Sequence, residues 1–225
     1  MLRTQSRTVG KWHFEALGVQ AVTALRKNSF DALYRPNRSA ARRTVLDFIK
    51  PGQTVALAGS VTLNELDLPR LAGEKGARVI TIHDPDLSAE EMVERMRAQL
   101  NSDVFLCGVN AVTLDGALVS VDSSGNRVAG MTFGPRKVVV VAGANKICLD
   151  VEAAFERVRL KAGPMNNKRI QLYKRGIELN NPCAVSGLCS DCHSETRICR
   201  VYTVWRRRPM FTDMTVILVG ETLGF

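Results

Sequence analysis

Aromatic side chains are scarce, with Phe, Trp and Tyr together making up 6% of the 225 residues. A core built under that restriction is aliphatic, packed from Val, Leu, Ile and Ala. The basic stretches also lack the interleaved aromatics on which single-stranded bases stack, so nucleic acid is not the expected partner. Only three histidines occur, in unrelated contexts, and nothing resembles a Ser/His/Asp triad. No apolar run approaches the roughly 18 residues of a membrane span; residues 138–143 fall far short. Arg3 and Arg7 are not followed by the apolar region, roughly 7–15 residues long, of a secretory signal. These absences lead us to expect a protein with no membrane span, located in the cytoplasm, where reducing thiols disfavour structural disulfides. Internal repeats and low-complexity tracts are missing too.

What is present suffices for one sizeable domain: 45% of residues are hydrophobic and the mean hydropathy is −0.04. Lys and Arg number 31 against 22 Asp and Glu, a formal charge of +9. That balance favours acidic partners, among them nucleic acid, an anionic membrane or a phosphorylated ligand, without choosing between them.

Phe14, Leu17, Ala21 and Leu25 recur at helical spacing, which predicts a helix over 11–27. A second helix after Ser39 buries Val45, Phe48 and Ile49 and stops at Pro51-Gly52. Short apolar runs over 54–58, 77–82, 103–107 and 137–142 then read as buried parallel strands. Between them lie helices: one opened by Thr62 with Glu65 and restarted at Pro69, one capped by Ser88 with Glu91, and one capped by Asp150. The alternation implies βαβ units. Residues 117–122 and 127–132 read as an antiparallel hairpin turning at 123–126. Two strands, 201–205 and 214–219, follow a segment rich in Pro, Asn, Gly and Cys. The expected organisation is N-terminal helices over 1–50 and an α/β domain over 51–225, with a cysteine-rich insertion at 180–200.

That insertion carries Cys183-x5-Cys189-x2-Cys192-x6-Cys199. Four thiolates within seventeen residues can converge on one centre without closing a long loop. Tetrahedral zinc and iron–sulfur clusters both accept four thiolates. The spacing matches neither the paired Cys-x2-Cys of zinc ribbons nor the bacterial ferredoxin run. Free thiols or redox disulfides are the competing reading.

A second candidate site lies at the strand ends. Gly59-Ser60-Val61-Thr62 links a strand to a helix, Gly allowing close backbone approach and Ser and Thr adding hydroxyls. It is not a P-loop, because no Gly-Lys-Ser/Thr ending follows. Gly108, Asn110 and Ala111 follow a later strand, with Asp115-Gly116 close behind, and Gly143, Asn145 and Lys146 follow another. In open α/β sheets ligands bind outside the carboxyl ends of strands, so these segments together could hold a small anionic ligand. Each alone is also an ordinary turn. Lys168-Arg169 and Trp205-Arg206-Arg207-Arg208 read as solvated basic patches, and His83 beside Asp84 as a loop histidine at a strand end.

Several of these stretches together carry a family resemblance. Gly59-Ser60-Val61-Thr62-Leu63, Gly108-Val109-Asn110-Ala111-Val112-Thr113-Leu114-Asp115-Gly116, Phe133-Gly134-Pro135-Arg136-Lys137 and Gly143-Ala144-Asn145-Lys146 resemble the LUD (lactate utilization) domain family. Asn181-Pro182-Cys183, Arg197-Ile198-Cys199 and residues 216–225 are similar to a cysteine-bearing branch of it. The resemblance covers about residues 10 to 225. It implies a Rossmann-like, mostly parallel sheet with an added hairpin, similar to the phosphosugar isomerase and coenzyme A transferase (NagB/RpiA/CoA transferase-like) fold. It also implies a role in oxidising L-lactate to pyruvate beside iron–sulfur or oxidoreductase partner subunits, and places an iron–sulfur cluster ahead of zinc at the four cysteines. Coenzyme A transferases carry a glutamate nucleophile near a Ser-Glu-Asn-Gly-type turn. Here the stretch reads Thr113-Leu114-Asp115-Gly116 without it, which argues against that route. An isomerase- or transferase-like enzyme acting on a phosphorylated ligand, and a non-catalytic assembly or regulatory subunit, are the alternatives.

Overall fold

Runs of β-branched residues set the centre of the molecule: Val138, Val139, Val140 and Val141 are all fully buried, as a strand covered on both faces requires. The computed structural model describes residues 2–82, 84, 86–173 and 178–225. His83 lies outside the described residues.

In chain order, α1 (Leu2–Lys27) leads to β1 (Asp31–Arg35) and α2 (Arg38–Asp47), and β2 (Thr54–Leu57) to α3 (Val61–Glu65) and α4 (Leu68–Glu74). Next come β3 (Arg78–Thr81), α5 (Ala89–Gln99), β4 (Val104–Gly108), β5 (Ala111–Thr113), β6 (Leu118–Asp122) and α6 (Asn126–Thr132). β7 (Lys137–Gly143) ends in a 3-10 turn (Ala144–Lys146) and is followed by β8 (Ile147–Cys148). α7 (Val151–Arg157) passes through a π-helical turn (Val158–Ala162) into α8 (Gly163–Tyr173). The short α9 (Cys183–Ser186), β9 (Val201–Trp205) and β10 (Met214–Val219) complete the order.

The main sheet is six-stranded and wholly parallel, ordered β1-β10-β7-β4-β2-β3. The α/β architecture with a mostly parallel sheet is therefore as expected from the sequence. Alternation along each strand divides the core in two. Val138, Val140, Val216 and Leu218 face α1 residues Ala21, Val22 and Leu25, whereas Val139, Val141, Ile217 and Val219 pack with Ala41 and Val45 of α2 and Leu63 of α3. A second sheet, β8-β5-β6-β9, mixes one parallel with two antiparallel pairings.

Three expectations need correction. The second arm of the proposed hairpin is α6: Val128 and Met131 are buried three residues apart, a helical rather than a strand period. β6 instead pairs with β5 and β9. The first fifty residues include, besides helices, a strand: β1 joins the main sheet against β10. Finally, α3 is capped by Ser60, whose side chain accepts from Leu63 N–H, rather than by Thr62. The cap of α5 does take the expected reciprocal form, Glu91 N–H to Ser88 Oγ at 3.2 Å and Ser88 N–H to Glu91 Oε2 at 2.8 Å. Asp150 caps α7 through Ala153 N–H at 2.8 Å.

Candidate functional site

Crossing from β3 on one side of β2 to β4 on the other, the chain reverses its winding between β2 and β4. That reversal splays the connections apart beyond the carboxyl ends of the two strands, opening a crevice where ligands bind in such sheets. Gly59 and Ser60 leave β2 there, and Gly108 ends β4. A Cβ on Gly108 would lie 2.7 Å from Ser60 Oγ, so the close approach of the two strand ends depends on that glycine.

β7 delivers Lys146 beside them. Its side chain is 4% exposed, and Nζ donates to Thr62 Oγ1 at 3.0 Å and to the Val109 carbonyl at 3.3 Å. Burial above all, then repulsion from Arg157 and Arg127, pulls the Lys146 amine down to about 7, with Glu65 opposing. Two guanidiniums order the loops around it. Arg157 donates to the Asn110 and Asn145 carbonyls at 2.7 and 3.2 Å, and its buried Nη2 has no hydrogen-bond partner among the described residues. Arg127 donates to the Gly108 carbonyl, to Asn110 Oδ1 and to the Val121 carbonyl, with Asp122 at 3.8 Å.

Asn145 ties down residues 223–225. Its Oδ1 accepts from Leu223 N–H at 3.0 Å, its Nδ2 donates to the Gly224 carbonyl at 3.1 Å, and Glu65 Oε2 accepts from Gly224 N–H at 2.9 Å. Gly224 adopts φ +57°, and a Cβ there would meet Thr62 Oγ1 at 2.7 Å and Lys146 Nζ at 3.3 Å. This strap therefore runs directly over the lysine.

Together these elements bound a cavity of about 630 Å³. Of the strand-end residues singled out in the sequence, Gly59, Ser60, Val61, Gly108, Asn110 and Lys146 line it. Thr62 stands behind Lys146 as its acceptor, and Asn145 and Gly143 hold the strap: Asn145 Oδ1 occupies the space that a Gly143 Cβ would need. Ala111 is buried against Val119 and Ala154. Asp115 and Gly116 are carried to α1 instead, where both their carbonyls accept from Asn28 Nδ2 at 2.9 Å.

The cysteine segment forms the opposite wall, through Thr196, Arg197, Cys199 and Arg200. Arg197 shapes that wall, donating to the Cys199 carbonyl at 2.8 Å, the Cys192 carbonyl at 2.7 Å and Asp191 Oδ1 at 2.7 Å. Cys189 N–H donates to the Arg159 carbonyl at 3.2 Å, and Cys189 Sγ accepts from Asp191 N–H at 3.4 Å. Burial and then the neighbouring Cys183 and Cys189 push the Cys199 thiol up to about 11. Burial, then Cys189 and Cys192, raises Cys183 likewise. Cys183 and Cys199 are thus held as neutral thiols, with neighbouring cysteines disfavouring their thiolate forms, and a bound cation would reverse that preference. Four thiols with a backbone N–H aimed at one sulfur suit a thiophilic metal or an iron–sulfur cluster. Among the described residues, however, no three Cys, His, Asp or Glu side chains form a ready-made metal cage. The remaining cysteines stand apart: Cys107, inside β4, is driven up to about 12 by burial, and Cys148 lies in β8.

Sequence reading missed Arg127, Arg169 and Phe225 as cavity residues. Arg127 was hidden by the hairpin assignment. Arg169, read as solvated, is half-buried in the wall with Asn166 Oδ1 accepting from its Nε at 3.0 Å. The Asn166–Arg169 spacing of three residues on a helix was the available signal.

No functionally curated protein matches this chain. The crystal structure of a DUF162 family protein from Deinococcus radiodurans is similar over 92% of this chain and 98% of its own, with a TM-score of 0.52 at 12% identity. Chaetomium thermophilum eIF2B delta is similar over 49% of this chain and 48% of its own (TM-score 0.34, 19% identity). Plasmodium falciparum ribose 5-phosphate isomerase is similar over 50% and 52% (TM-score 0.31, 14% identity). Residues 19–219 match the LUD domain, and the chain belongs to the LUD domain family.

Proposed function

We propose that this protein is a component of L-lactate oxidation to pyruvate, of the branch that includes lactate-utilization protein C. On this reading it holds a small carboxylate in the strand-end cavity beside a metal centre at Cys183, Cys189, Cys192 and Cys199. Family membership supports the process, and one observation carries the arrangement: Cys199 lines the same cavity as Ser60, Gly108 and Lys146. An iron–sulfur cluster is the favoured occupant and zinc the alternative. When bound, a cluster supplies one-electron exchange. The chain's own residues do the rest. Arg169, Arg127 and Lys146 give the cavity a positive field for a carboxylate, Ser60 and Asn110 offer hydrogen bonds, and Arg197 holds the backbone on which two of the thiols are mounted. Partners are iron–sulfur or oxidoreductase subunits that accept the electrons.

A second reading, an isomerase- or transferase-like enzyme acting on a small anionic or phosphorylated ligand, is favoured by Lys146. An amine near neutrality inside a cavity can take up and return a proton at Nζ.

Anaerobic purification with metal analysis and visible absorption tests the centre, and a colourless, metal-free native protein rejects it. Thermal-shift measurements with 2-hydroxy acids, 2-oxo acids and sugar phosphates test the cavity. Stabilisation by the first two classes supports the lactate reading, by sugar phosphates alone the second. No shift with any of them rejects both.

A further inference from the structure

The other end of the parallel sheet carries a surface of different character. Phe133, Met210 and Phe211 are 70%, 81% and 84% exposed. They belong to two loops at the amino ends of β7 and β10, joined by Thr212 Oγ1 donating to the Thr132 carbonyl at 2.6 Å. Trp205 Nε1 donates to Thr132 Oγ1 at 3.2 Å and fixes the base of the pair. Single exposed apolar residues are ordinary, but three large ones on adjoining loop tips are not.

The same loops are strongly basic. Arg206, Arg207 and Arg208 directly precede the Pro209-Met210-Phe211 tip, and Arg136, its side chain 85% exposed, follows Phe133. Arg208 donates to the Ser29 carbonyl at 2.7 Å, which sets the last turn of α1, with Arg26 and Lys27, beside them. Asp103 and Asp213 at this edge are already paired, with Arg136 at 3.7 Å and with Lys137 at 2.7 Å. An occupant must therefore accept apolar tips and supply negative charge around them. A second copy docked face to face would set arginine against arginine. A nucleic acid would use the arginines but leave Met210 and Phe211 in water. Anionic lipid answers both requirements, with phosphates for the arginines and an acyl boundary for the apolar tips.

We propose that the 206–211 loop and Phe133 dock this protein on the surface of an anionic lipid bilayer. No described helix is long and apolar enough to cross a membrane, so the association is peripheral. All six strands of the main sheet run from this edge toward the cavity, so a docked protein presents Lys146 and the cysteine segment away from the lipid, about 20 Å distant by strand length.

Co-sedimentation of the full chain with phosphatidylglycerol–phosphatidylcholine vesicles, against pure phosphatidylcholine, is the test. Binding is expected to the mixed vesicles only, weakening steeply with salt. Met210→Ser/Phe211→Ser should lower partitioning about tenfold. Arg206→Glu/Arg207→Glu should lower it at least about twentyfold, each basic residue contributing about fivefold. Both variants should melt as the parent does, since the altered side chains are exposed. Four results overturn the proposal: no sedimentation of the folded parent, equal binding by the Met210/Phe211 variant, a dimer lost in that variant, or duplex DNA bound as tightly as vesicles and indifferent to it.

Discussion

Lys146 Nζ donates to Thr62 Oγ1 at 3.0 Å from a side chain only 4% exposed, so the folded state holds an amine whose charged form is poorly solvated. The consequence for stability has a definite sign. Folding lowers the Lys146 pKa from 10.5 to about 7, so between those values the unfolded chain binds the extra proton. Stability must then rise with pH across that window; below about 7 the amine is charged in both states, and its full burial cost is present without further pH dependence. The raised thiols act oppositely, their contribution falling away as pH climbs past 9, the ordinary thiol value. Urea unfolding of wild type and Lys146→Met between about pH 7 and 9 separates the two. The wild type should gain stability relative to the variant by up to about 1.4 kcal/mol per pH unit. Parallel curves would show that Lys146 is charged in the folded state.

Gly108 and Ser60 form a steric pair. Gly108→Ala places a Cβ 2.7 Å from Ser60 Oγ, and the expected cost is about 1–3 kcal/mol together with weaker ligand binding. Ser60→Gly removes the hydroxyl while keeping a tolerated cap residue, at a few tenths of a kcal/mol. The double variant should recover most of the loss in chemical denaturation. Additive effects would mean that another contact limits this position.

Asn145→Ala removes both side-chain hydrogen bonds to residues 223 and 224. We expect a loss of about 1–3 kcal/mol. Amide exchange at Leu223 and Gly224 should quicken while β7 stays protected, as hydrogen exchange read by mass spectrometry can resolve. Acceleration spread evenly through β7 would count against a local strap.

Arg197→Ala should open the cysteine segment with little effect on the main sheet, because the guanidinium serves the Cys192 and Cys199 carbonyls and Asp191 at once. Protection within 189–199 should fall about 10- to 100-fold, and the metal centre proposed there should be lost with it. Arg197→Lys should not rescue it, since an ammonium cannot reproduce the fork.

Strands that read as unbroken apolar runs, such as 137–142 and 214–219, were legible because burial on both faces leaves one composition to choose from. β1 was not. Asp31-Ala32-Leu33-Tyr34-Arg35 is an edge strand with one fully buried residue, and its pattern is lost among the flanking helices. α6 was mistaken for a strand because Val128 and Met131 are too few to separate a period of three from one of two. At the candidate site, Gly59, Ser60, Gly108 and Lys146 stood out because strand-end glycines and hydroxyls carry a local signal. Their meeting with Cys199 had none. It depends on β9 pairing with β6, Ser120 opposite Thr203, and on Arg200 N–H donating to the Asp122 carbonyl at 2.9 Å, contacts between segments far apart in the chain.

β10 lies between β1 and β7 in space yet follows every other strand in sequence. Until it inserts, β1 has no neighbour in the sheet and the valine-rich edge of β7 stays open to pairing with other chains. Completing the sheet thus requires long-range pairing, the kind of contact that slows folding and leaves strand edges exposed until it forms. The segment bearing Cys183 to Cys199 precedes β10 in the chain, so its thiols are made before the sheet can be completed, and at the metal centre proposed there loading can precede folding rather than follow it.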